Sequence, residues 1–65
     1  MIRVSSFEEQ ALWKATAGAT PEEMRSINYA LSMYAANEKI DDNEYRLAMA
    51  SVYRQGIVTP PLGYQ

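Results

Sequence analysis

Thr20-Pro21-Glu22-Glu23 is a strong helix-start signal, and two further starts of related chemistry divide the chain into three helical lengths. Thr20 can cap the first free amides, Pro21 takes the first helical position, where its missing N–H costs nothing, and Glu23 can reach back to the cap. In "SSFEEQALWKATAG" the cap is Ser6 with Glu9 three residues on, with Ser5 and Glu8 an equally spaced alternative. In "EKIDDNEYRLAM" Asp41 is the cap, Glu44 takes the third helical position, and Ile40 before the cap can pack on Tyr45 after it. The stops are as local as the starts. Gly18 and Gly56 suit the left-handed closing residue, and Asn37 tolerates that conformation better than most side chains. The spacing therefore predicts helices over about 6–17, 21–37 and 42–55, followed by an extended tail over 57–65.

Glu38, Asp41, Asp42 and Glu44 crowd four carboxylates into seven positions, which raises the question of a metal ion or acid/base chemistry. The sequence I-D-x-x-E-Y resembles the second half of an EF-hand loop, with Glu44 at the twelfth position. That family also needs acidic or amide ligands at the first and third positions and glycine at the sixth, and here they are Met33, Ala35 and Glu38. No calcium site is expected. Of eight acidic residues, seven fall in a cap or first turn, where the helix dipole favours negative charge, so the acidity reads as helix punctuation. Leu31 to Val52 also resembles the short two-helix modules of SHOCT type found at the ends of many bacterial proteins, although their turn glycine is missing here.

Chemistry is scarce elsewhere. With no cysteine and no histidine, the chain has no thiolate nucleophile, no disulfide, and none of the side chain that titrates near neutral pH and ligates metals most often. A helix start lowers rather than raises carboxylate pKa values, which is the wrong direction for a general acid. No catalytic residue, cofactor, metal ion or small-molecule substrate is expected. The net charge is −2 and the six basic residues are scattered, so no basic stripe is available for phosphate and no nucleic-acid partner is expected. A helix-turn-helix would have only Arg46 and Arg54 on its third helix, behind three acids. The longest apolar runs are a few residues, far below the roughly 20 that span a bilayer, so no membrane partner is expected. The opening "MIRVSSFEEQ" has no apolar signal core, and the expectation is a complete small cytoplasmic gene product.

At 65 residues the chain forms one domain and buries only about 60% of the surface its unfolded form exposes. The apolar spacings give helix two one face of Met24, Ile27, Leu31, Tyr34 and Ala35, with a second stripe of Tyr29, Met33 and Ala36 beside it. Helix three carries Tyr45, Ala48, Met49, Val52 and Tyr53, with Leu47 off that face, and helix one carries Phe7, Ala11, Leu12 and Ala15, with Trp13 pointing elsewhere. The short "NEKI" connection forces helices two and three into an antiparallel hairpin that helix one must cover. The predicted fold is thus all-α, a compact three-helix arrangement. "IRV" and "GIV" are placed to pair as a two-strand bridge, while Pro60 and Pro61 hold the tail extended.

Spare apolar surface on a chain without chemistry points to a non-catalytic protein–protein interaction module, a small adaptor, inhibitor or regulator. The candidate protein-binding residues are Trp13, Tyr29 and Met33 on the helices and Leu62 and Tyr64 in the tail. The alternative is a structural subunit of a homo-oligomeric assembly such as a virion component. In either case the partner is another protein or a copy of the chain itself.

Overall fold

Each of the three starts folds by its own local hydrogen bonds. The computed structural model describes residues 1–58, in the order α1 (Ser6–Ala15), a 3-10 turn (Thr16–Gly18), α2 (Pro21–Ala35) and α3 (Asp42–Arg54). Ser5 caps α1: its hydroxyl accepts from Glu8 N at 3.1 Å, and Glu8 accepts from Ser5 N at 2.9 Å. Of the two starts the sequence allowed, the Ser5/Glu8 pair is the one used, and Ser6 is the first residue inside the helix. Thr20 and Glu23 form the same reciprocal box at the start of α2. At α3 the cap is Asp41, but its carboxylate reaches Asn43 N at 2.9 Å, one residue short of Glu44.

Two of the three stops close with a left-handed residue. Asn37 (φ 60°) follows α2 and Gly56 (φ 72°) follows α3. In each case the amide of that residue and the one after it turn back into the helix, Asn37 N to Tyr34 O and Glu38 N to Met33 O, then Gly56 N to Tyr53 O and Ile57 N to Val52 O. Helix α1 ends differently from the expectation. It stops at Ala15, and the chain leaves through the 3-10 turn with Gly18 outside the left-handed region. Gly18 is needed for space instead, because a Cβ there would lie 2.5 Å from Gln55 Oε1. The Gln55 amide donates to Ala15 O at 2.8 Å and to Ser51 Oγ at 2.9 Å, which ties the residue after α3 to the end of α1.

Helices α2 and α3 form the predicted antiparallel hairpin and pack most extensively, with α1 laid mainly against α3. The core is Val4, Ala11, Leu12, Ala15, Ile27, Ala30, Ile40, Ala48, Met49 and Val52. A Cα radius of gyration of 10.5 Å matches the roughly 11 Å expected of a folded chain this long. Two predicted faces shift. Phe7, assigned to the core, is 59% exposed, and Ala30 rather than Ala35 is buried on α2, because the buried stripe of α2 runs through Ile27 and Ala30. The extended start also pairs elsewhere than expected. Ile2 forms an antiparallel bridge with Ile40, both N–H···O distances being 2.7 Å, and "GIV" takes no part because Ile57 closes the turn after α3. This bridge is the β pairing found among the described residues. It seats Val4 in the core and brings Arg3 over Asn37 O, at 2.9 Å.

Candidate protein-binding surface

The register of the hairpin decides which side chains share its outer groove. Arg54, at the end of α3, holds Glu23, at the start of α2, through a bidentate pair of 2.8 and 2.6 Å, and the same guanidinium donates to Gly18 O at 2.8 Å. The Arg54 hydrogen bond, assisted by the Thr20 amide, holds the Glu23 carboxyl at about 2, well below its ordinary 4.5, and the guanidinium is raised in return. The start of α2 is thereby fixed beside the end of α3. Four residues further along α2, in from Arg25, comes Tyr29; opposite it, working back along α3 from Arg54, come Ala50 and Leu47.

Tyr29 and Leu47 line one open groove of about 760 Å³ between α2 and α3. Ser26 and Ala50 complete its wall, with Glu22, Glu23 and Arg25 towards one end and Glu44 towards the other. Both central side chains are large, apolar and solvated, Tyr29 at 42% and Leu47 at 49% exposure. A smaller cleft of about 300 Å³ runs along the other edge of α3, lined by Ile2, Tyr45, Met49 and Tyr53. There the Tyr45 hydroxyl donates to the Glu8 carboxylate, tying α3 to the cap of α1. Burial first, and then that carboxylate, push the Tyr45 phenol well above its ordinary value.

The sequence candidates are distributed over separate surfaces. Tyr29 lines the groove. Met33, one turn on, is half-buried and packs against the core. Trp13 stands on α1 at 57% exposure, with its indole N–H donating to Glu9 Oε2 at 2.6 Å, and it is not part of the groove. Leu62 and Tyr64, with the tail around Pro60 and Pro61, lie outside the described residues. Leu47, the partner of Tyr29 in the groove, was legible only as the apolar residue of helix three that falls off its buried face.

The crowded carboxylates are dispersed by the fold. Asp41 is a cap and Glu44 faces the groove, and among the described residues no three acidic side chains are grouped so as to hold a metal ion. Among those residues, too, no buried polar side-chain atom lacks a hydrogen-bond partner, and no helix is long and apolar enough to cross a membrane. No protein-family model matches the chain, and no curated protein or solved structure matches it either.

Proposed function

We propose that this chain is a non-catalytic protein–protein interaction module, a small adaptor, inhibitor or regulator, whose docking surface is the groove between α2 and α3. The observation that carries the reading is the adjacency of Tyr29 and Leu47, two large apolar side chains brought together by the hairpin and left solvated in one concave surface. Contiguous exposed apolar surface rimmed by polar groups marks interaction sites, and tyrosine is enriched among the residues that dominate binding. Trp13 supplies a second, separate anchor on α1. A duplex-binding role is less well supported, since Arg54, one of two cations α3 would offer to phosphate, is held by Glu23.

The test is site-specific crosslinking in the cells that make the protein, with a photoreactive phenylalanine analogue placed at Leu47, at Tyr29, and at the exposed loop residue Lys39 as control. Protein adducts from the two groove positions, absent from the control, are expected. Failure of both groove positions to capture any protein refutes the reading.

A further inference from the structure

We draw no further inference here: the strongest candidate, the small cleft along α3 lined by Ile2, Tyr45, Met49 and Tyr53, carries one acid and one cation, Asp42 and Arg46, and nothing in the structure shows what covers it.

Discussion

Gly18→Ala is predicted to change sign according to what occupies position 55. The backbone at Gly18 is outside the left-handed region, so alanine is conformationally acceptable there, and restricting the unfolded chain stabilises by about 0.4–1 kcal/mol. Against that gain, the new Cβ would stand 2.5 Å from Gln55 Oε1, and the amide must leave. Its departure breaks the bonds to Ala15 O and to the fully buried Ser51, each contributing about 1 kcal/mol net. The lost bonds outweigh the entropic gain. Gly18→Ala should destabilise the wild type by about 1 kcal/mol, a fall in Tm of roughly 4–8 °C in a domain of this size. In a Gln55→Ala background the obstruction and the bonds are already gone. The same substitution should then stabilise, by about 0.4–1 kcal/mol. Urea and thermal unfolding of the four proteins, followed by far-UV circular dichroism, close the cycle. A coupling below about 0.5 kcal/mol, or a Gly18→Ala effect of one sign in both backgrounds, refutes the role assigned to Gln55.

Three further outcomes follow from the geometry. Ser5→Ala should cost about 1 kcal/mol in urea unfolding and Ser6→Ala less than about 0.5, because Ser5 supplies the cap of α1. Ile27→Ala should cost about 2–5 kcal/mol, which for 65 residues threatens folding, whereas Phe7→Ala at an exposed site should stay within about 0.5 of the wild type. The folded-state pKa of Glu23 lies below its ordinary 4.5, so its contribution is complete above that value and is lost as pH falls towards about 2. Stability measured between those limits should therefore fall more steeply for the wild type than for Glu23→Gln, and parallel profiles would show that the Arg54 clamp contributes nothing.

The helix punctuation was legible because it is local chemistry. A threonine, a proline and a glutamate within four positions can satisfy one another's backbone groups whatever the rest of the chain does, and Thr20, Asp41, Asn37 and Gly56 act as the pattern implies. Ambiguity remained where two local solutions were equally spaced, as at Ser5 and Ser6. Faces were harder to read. Helix two has apolar residues around more than half its circumference, so periodicity alone could not choose Ile27 with Ala30 over the stripe through Ala35.

Everything that depended on a distant partner was decided in three dimensions. Gly18 reads as a helix stop until Gln55, far along the chain, is seen to need the space above it. Ile2 reads as a mate for "GIV" until the loop before α3 presents Ile40. The candidate surface has the same origin: Tyr29 stands out in the sequence, but Leu47 acquires meaning only when the Glu23–Arg54 clamp holds α2 and α3 antiparallel and sets the two side by side. The sequence by itself determined where helices begin and where two of them end, because hydrogen bonds between near neighbours decide those matters. Which apolar residues are covered and which are left exposed is a competition among all three helices for one small core, and only the tertiary structure resolves it.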